Sequence, residues 1–194
     1  MIFLRNFINF KGLIGISLVL IALSTAIIAP LIIPPEYATN MDMRARLSLP
    51  SSDHFLGTDQ LGRDLFYRVM LGARTSISIA VSAVLLSLII GLPMGLISGF
   101  FRGTVDNILM RLVDTLLSFP ALLLALTISA VLGPNLKNTI LAIGIAFTPY
   151  LARLIRGEAL RVSQMPYVEA AKAAGANNFR IMVGHILPNI TPVI

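Results

Sequence analysis

The chain has 194 residues, of which 56% are hydrophobic and only 12% are charged. Soluble domains average about 45–50% apolar and about 25% charged residues, so this composition excludes a disordered chain and a water-soluble monomer and indicates a membrane protein. The net charge of +6 comes from basic residues at the ends of apolar runs, which is typical of membrane topology and predicts no nucleic-acid partner. With no cysteine and two distant histidines, we expect no metal site and no cofactor.

The first apolar run, residues 12–33, carries no charge over 22 residues. At about 1.5 Å per residue, a helix of this length crosses a hydrocarbon layer of about 30 Å. A cleaved signal peptide is the alternative, because Arg5 and Lys11 would form its basic region and Ser24-Thr25-Ala26 offers small residues for cleavage. The run continues beyond that point, which favours a retained anchor.

Three further apolar runs follow at residues 75–100, 106–132 and 139–154. The run at residues 75–100 contains small and hydroxyl residues that suit close contact between helices in lipid, among them Ser87, Gly91, Gly95 and Gly99. The four runs predict an all-α fold, a polytopic transmembrane helical bundle with four full spans. Residues 190–194 begin a fifth apolar run, and residues 75–194 would form the core of the bundle.

The basic residues predict which loops face the cytoplasm. One side carries nine basic residues, namely Arg5, Lys11, Arg102, Arg111 and the five from Arg153 onward. The other side carries six, namely the five arginines in residues 34–74 and Lys137. This bias of nine against six places residues 1–11 and everything after Arg153 in the cytoplasm. Residues 34–74 then form an external loop, in which we expect short or interfacial helices.

Asp114 is the one carboxylate well inside an apolar run. It could form an intramembrane ion or proton site. It could also pair with Arg111, three residues earlier on the same helix face, and this second interpretation is favoured.

A short helix is predicted after the fourth run. Pro166 suits a first helical turn, Glu169 lies near the positive end of the helix dipole, and four alanines follow before Gly175 supplies a left-handed cap. Asn177 is a good N-cap for a second helix reaching about Ile186. Taken alone, this pattern is more often a structural elbow than a docking site.

Glu169-Ala170-Ala171, Gly175 and Leu187-Pro188 resemble the EAA loop of the permease subunits of ABC importers, and residues 184–189 are similar to the peptide and nickel branch of that family. The resemblance implies a type I permease fold. It also implies that loop 163–188 forms coupling helices that fit into a groove on an ATP-binding subunit. The residues it assigns to this ATPase-coupling loop are Tyr167, Glu169, Ala170, Ala171, Ala174, Gly175, Leu187 and Pro188.

A second segment, residues 54–64, resembles the external segment that precedes the second span in the same branch. Alone it reads as a glycine-rich turn with solvated charges. The residues that carry the resemblance are Gly57, Thr58, Asp59, Gly62, Arg63 and Asp64. The second-subunit permeases of the dipeptide, oligopeptide and nickel type have six spans, so we expect this chain, which stops at Ile194, to be truncated or a fragment.

The resemblance implies a multi-pass protein of the inner membrane that contacts lipid, a second homologous permease subunit, ABC ATPase subunits and an extracytoplasmic solute-binding protein. The chain would not be an enzyme: the phosphate-binding motif of ATPases needs a Gly-Lys pair, and the three lysines follow Phe10, Leu136 and Ala171. Peptides and nickel are both open as solutes, and glutathione is a further candidate. An ATP-independent secondary transporter or channel, and a non-transporting truncated membrane protein, remain as alternatives.

Overall fold

The computed structural model describes residues 10–193 and consists of helices and their connections. The residues described contain no β-strand, apart from an isolated bridge between Thr58 and Asp64, so the predicted all-α class is confirmed. The helices are α1 (Phe10–Ile32), α2 (Glu36–Thr39), α3 (Leu65–Phe101), α4 (Gly103–Leu117), α5 (Ala121–Leu132), α6 (Leu136–Val162), α7 (Pro166–Ala173), α8 (Asn178–Ile181) and α9 (Leu187–Ile190), with a π-helical turn at Met182–Ile186 between the last two.

Three helices are long and apolar enough to cross a membrane, namely Gly12–Ile32, Leu65–Phe101 and Leu136–Val162. A fourth span is obtained if α4 and α5 count as one broken span. Helix α3 begins at Leu65 rather than at residue 75, and α6 continues beyond residue 154. Residues 65–74, which were predicted to belong to the external loop, are therefore the first residues of α3.

The third predicted span is not one helix. Helices α4 and α5 meet at an angle of 84°. Pro120 explains the break, because it has no N–H to donate and disfavours helical backbone at the residue before it. Helix α5 has 12 residues and is therefore about 18 Å long, too short to cross about 30 Å of hydrocarbon alone.

The chain divides into two compact units, residues 1–78 and residues 79–194. The first contains α1, α2, the external segment and the start of α3. Helix α1 leaves apolar side chains exposed around most of its circumference, and of its described side chains only Ala26 and Ala29 are buried. Such exposure fits a helix surrounded largely by lipid.

In the second unit, α3 and α6 pack with their backbones in close contact. A Cβ atom on Gly95 would lie 2.5 Å from the carbonyl oxygen of Ala152, and one on Gly99 would lie 2.7 Å from that of Arg156. The Ser87 hydroxyl donates to the Gly144 carbonyl at 2.8 Å. The predicted use of small residues for close helix contact is thus confirmed.

The core of this unit lies at one end of that helix pair. Its members come from α3, α6 and the segment after α6, and all are buried: Leu96, Ile155, Ala159, Val162, Val168, Ile181, Ile186 and Ile190.

Candidate coupling site and external segment

The segment after α6 forms the predicted short helix and glycine turn. Helix α7 has Pro166 in its first turn. After it, the Gly175 N–H donates to the Lys172 carbonyl at 3.0 Å, and the Ala176 N–H donates to the Ala171 carbonyl at 3.0 Å. This pair of bonds is a Schellman motif, which requires a left-handed residue, and Gly175 supplies it with φ +81°. The chain is fixed here into a sharp elbow.

The second predicted helix is also present, with one difference. The Asn177 side chain accepts from the Arg180 N–H at 2.8 Å and so caps α8 as expected. The helical path then runs beyond Ile186 to Ile190, through the π-helical turn Met182–Ile186 and into α9.

Helix α7 has a buried side and an exposed side. Val168 is completely buried and packs in the core with Ile155, Ala159 and Val162 of α6. The opposite side is exposed and carries three alanines, one carboxylate and one tyrosine: Tyr167, Glu169, Ala170, Ala173 and Ala174. We call these five residues the coupling face.

Other predicted residues lie elsewhere in this region. Ala171 is only partly exposed. Leu187 packs against the core with its neighbours Ile186 and Ile190, and Pro188 is exposed in the first turn of α9. Leu187 therefore supports the coupling face from the core side.

Residues 54–64, the predicted external segment, form a glycine-containing turn, and hydrogen bonds to other parts of the chain make it more compact than the sequence alone indicates. The Thr58 hydroxyl, which is buried, accepts from the Ser48 N–H at 2.9 Å and donates to the Ala45 carbonyl. Gly57 and Gly62 have φ of +74° and +73°, and a Cβ atom on either would collide with the carbonyl oxygen of Ser48 or Asp42, respectively. Only glycine fits both positions.

Asp59 is the electrostatic centre of this segment. Its carboxylate accepts from the backbone N–H groups of Leu61 at 2.8 Å and Arg63 at 3.0 Å, and it pairs with the side chains of Arg63 and Arg68. Desolvation would raise the pKa of Asp59, but the hydrogen bonds from Arg63 and Leu61 and the charge of Arg63 outweigh it and lower the pKa to about 2.

Asp64 joins the external segment to α3. One carboxylate oxygen accepts from the Tyr67 N–H at 3.2 Å and caps the helix, while the other lies 2.9 Å from Nδ1 of His54. Asp64 is buried, so both contacts compensate for its loss of hydration. No group of three or more metal-ligating side chains occurs in residues 10–193.

Asp114 does not pair with Arg111, the partner expected from the sequence. Its carboxylate pairs instead with Arg153 of α6. A neighbouring pair was not anticipated: Arg156 of α6 binds Asp106 of α4 with Nε–Oδ1 and Nη2–Oδ2 distances of 2.6 Å and 2.5 Å. The partners are 50 residues apart in sequence, and no local pattern links them.

Comparison with known proteins agrees with this architecture. The family described as "binding-protein-dependent transport system inner membrane component" matches residues 91–194, more than half of the chain. The chain is 39% identical over 187 residues to the dipeptide transport system permease protein DppC of Alkalihalophilus pseudofirmus, a match that covers 96% of this chain and 61% of the relative. It is 37% identical to the glutathione transport system permease protein GsiD of Pectobacterium atrosepticum (96% and 62% covered) and 39% identical to the oligopeptide transport system permease protein OppC of Bacillus subtilis (93% and 59% covered).

The chain therefore belongs to the family of inner membrane components of binding-protein-dependent transport systems. It spans about 60% of the length of these three relatives. The matched region begins within α3 and includes α4 to α9, and so contains both the coupling face and the core beneath it.

Proposed function

We propose that this chain is the membrane-spanning permease subunit of an ATP-driven importer of peptides, with ATP hydrolysed on separate ATPase subunits. The observation that carries the proposal is the coupling face: a short helix that exposes alanines and one carboxylate on one side and is fixed to α6 by Val168 on the other. Alanine side chains leave the helix narrow enough to enter a groove. The rigid elbow at Gly175 would fix the direction in which a partner pushes.

The orientation follows from the basic residues. The nine cytoplasmic charges support an inner-membrane topology with residues 1–11 and the coupling face on the cytoplasmic side. The external segment, held by Asp59 and Asp64, would then face an extracytoplasmic solute-binding protein. A second, homologous permease subunit would complete the translocation path.

Peptides are the proposed solute class because two of the relatives are named for dipeptide and oligopeptide transport. Glutathione, for which the third relative is named, is itself a small peptide. Nickel remains an alternative solute from the sequence resemblance. An ATP-independent carrier remains the alternative; the pairs that Asp106 and Asp114 form with arginines do not decide against it, because charged residues of transport pathways are commonly paired.

Charge reversal at the coupling face tests the proposal. Membranes expressing the chain with its partner subunits are solubilised, and the ATPase that co-purifies is quantified together with ATP-dependent uptake of a labelled dipeptide. We expect Glu169→Lys to reduce both at least tenfold. The matched control is Glu36→Lys, which reverses a glutamate in the first turn of a short exposed helix outside the coupling face. An equal effect of both variants, or normal uptake with Glu169→Lys, would refute the proposal.

A further inference from the structure

Contacts at the end of α3 join four parts of the second unit. The Ser98 hydroxyl donates to the Asp106 carboxylate in the first turn of α4. Gly99 lies against the backbone of α6 at Arg156. The ring of Phe100 lies 5.1 Å from Nζ of Lys172 in α7, and Arg102 donates to the Ser163 hydroxyl at 3.1 Å.

These contacts and the core define a compact group of turns, which we call the coupling block. It contains residues 95–102 at the end of α3, residues 152–162 of α6, and residues 163–190; α4 lies outside it. The coupling face belongs to this block and is joined to α6 at a junction where Val168 and Ser163 are both buried.

The Asp106–Arg156 pair is the strongest link between the coupling block and α4. Asp106 has 9% of its surface exposed, Ser98 is completely buried, and both carboxylate oxygens are bound by the Arg156 guanidinium. A bidentate pair fixes direction as well as distance. Removing one charge would leave the other partly buried and uncompensated, so the pair holds its geometry more firmly than a surface pair does.

Helix α4 leads from this link to the break at residues 118–120. Over its 15 residues it is about 22 Å long. The break before α5 is the place where the backbone leaves the helix, and Phe119 is exposed there. Residues between helix ends are the positions that absorb changes in backbone direction.

We propose that Asp106 and Arg156 are a positioning pair that fixes α4 to the coupling block, so that a displacement of the coupling face moves α4 and changes the bend between α4 and α5. This inference rests on the proposed function. It assigns the conformational change of the permease to residues 118–120 and makes the region between the coupling face and α4 a rigid body.

The chain supplies its own control for this pair. Asp114 and Arg153 join the same two helices, but their side chains are 59% and 54% exposed. Arg153 contacts Asp114 through one nitrogen only, and a single contact fixes direction less firmly than the bidentate contact of Arg156 with Asp106. Asp106→Asn and Asp114→Asn therefore make the same chemical change in a buried and an exposed pair between α4 and α6.

The functional test uses the assembled transporter in proteoliposomes, with dipeptide uptake and ATP hydrolysis measured together. For Asp106→Asn we expect uptake per ATP to fall about tenfold while ATP hydrolysis stays within twofold of the unmodified protein. Arg156→Lys keeps the charge but loses the bidentate contact, and should give an intermediate loss. Asp114→Asn should leave both rates within twofold. Unchanged uptake per ATP in Asp106→Asn would overturn the inference.

A second measurement does not depend on transport. The chain has no cysteine, so spin labels can be placed only where Thr104→Cys and Asn178→Cys introduce them. Both positions are exposed, one in α4 and one in α8. For the chain in lipid nanodiscs we expect one narrow distance distribution, which broadens at least twofold with Asp106→Asn but not with Asp114→Asn.

Failure of the proposed function and failure of the inference about the Asp106–Arg156 pair give different results. If the unmodified transporter shows no ATP-dependent uptake, the proposed function fails, and the width of the spin-label distribution still decides whether the pair holds α4 to the coupling block. If uptake is normal but the distribution does not broaden with Asp106→Asn, the inference fails alone.

Discussion

Substitution of Gly175 isolates the effect of the elbow on coupling. No heavy atom outside its immediate neighbours lies within 4 Å of the place that a Cβ atom would take on Gly175, so a new side chain meets no steric obstacle. The cost is backbone strain alone, because φ is +81°. For an L-residue in the left-handed region this is about 1–2 kcal/mol, which lowers the equilibrium constant for forming the native elbow by a factor of about 5–30.

The side chain sets the size of the effect. After glycine, asparagine enters the left-handed region most readily. Alanine has the strain energy of an ordinary L-residue there, and a β-branched residue fits worst. We therefore expect uptake per ATP to fall least for Gly175→Asn, by up to about 5- to 30-fold for Gly175→Ala, and most for Gly175→Val. Membrane insertion should be unaffected, since no packing contact is lost.

The assay measures dipeptide uptake per ATP in proteoliposomes for the three variants at equal amounts of inserted protein. A protease-protection experiment on the same vesicles confirms equal insertion. Equal uptake by the valine and asparagine variants would refute the strain argument. So would a loss of insertion in the alanine variant, because the site would then be packed rather than open.

Three further predictions concern other parts of the chain. Gly99→Val should lower the free energy of unfolding of the purified protein by about 1–3 kcal/mol, because the new side chain overpacks against α6. Gly157→Val places its side chain in open space on α6 and should change this free energy little. Similar melting temperatures of the two variants would contradict the prediction. Val168→Ala removes two buried methyl groups and should destabilise the coupling face by about 1.6 kcal/mol. The measurement is hydrogen exchange in α7, which should become faster. Unchanged exchange would contradict the stabilising role of the buried Val168 side chain. Because the pKa of Asp59 is depressed to about 2, its contribution to the external segment is complete above pH of about 4 and is lost as the pH falls towards 2. Pepsin cleavage of that segment should accelerate in this window, while Asp59→Asn should be cleaved readily at pH of about 5; equal cleavage of both proteins at pH of about 5 would show that Asp59 does not hold the segment.

Local patterns in the sequence were sufficient to predict several elements. The uncharged run of residues 12–33 predicts α1, because length and hydropathy alone decide whether a helix can cross lipid. The spacing of Gly91, Gly95 and Gly99 predicts a close helix contact, since residues four apart share a helix face. Gly175 after a run of alanines predicts its cap for a similarly local reason.

Long-range contacts could not be predicted in this way. Arg111 is the nearest basic neighbour of Asp114 on α4, but tertiary packing brings Arg153 of α6 to the carboxylate instead. Asp106 and Arg156 meet only after α3, α4 and α6 have packed. The third span is an intermediate case: Pro120 marks the break in the sequence, but the angle of 84° depends on the packing of both helices.

The external segment shows the same limit. Its glycines and carboxylates suggest an exposed turn. The Thr58 hydroxyl nevertheless binds backbone groups of Ser48 and Ala45, which lie 10 and 13 positions before Thr58 in the chain. The correct structure therefore depends on partners outside the segment that the resemblance covers. Residues 54–64, considered alone, therefore predict the turn but not the hydrogen bonds that hold it.

The π-helical turn constrains the number of residues in the final helical path. Ile181 and Ile186 are both completely buried in one core, although residues five apart on an α-helix point about 140° away from each other. The wider turn, in which the Leu187 N–H bonds to the Met182 carbonyl, brings them to the same side. Deleting one residue from Met182–Ile186 would restore four-residue spacing between the two isoleucines and an ordinary α-helix. Substitutions on the outer surface of this segment should therefore leave the core in place, whereas insertion or deletion of one residue would alter the hydrogen-bonding pattern that brings the two isoleucines together.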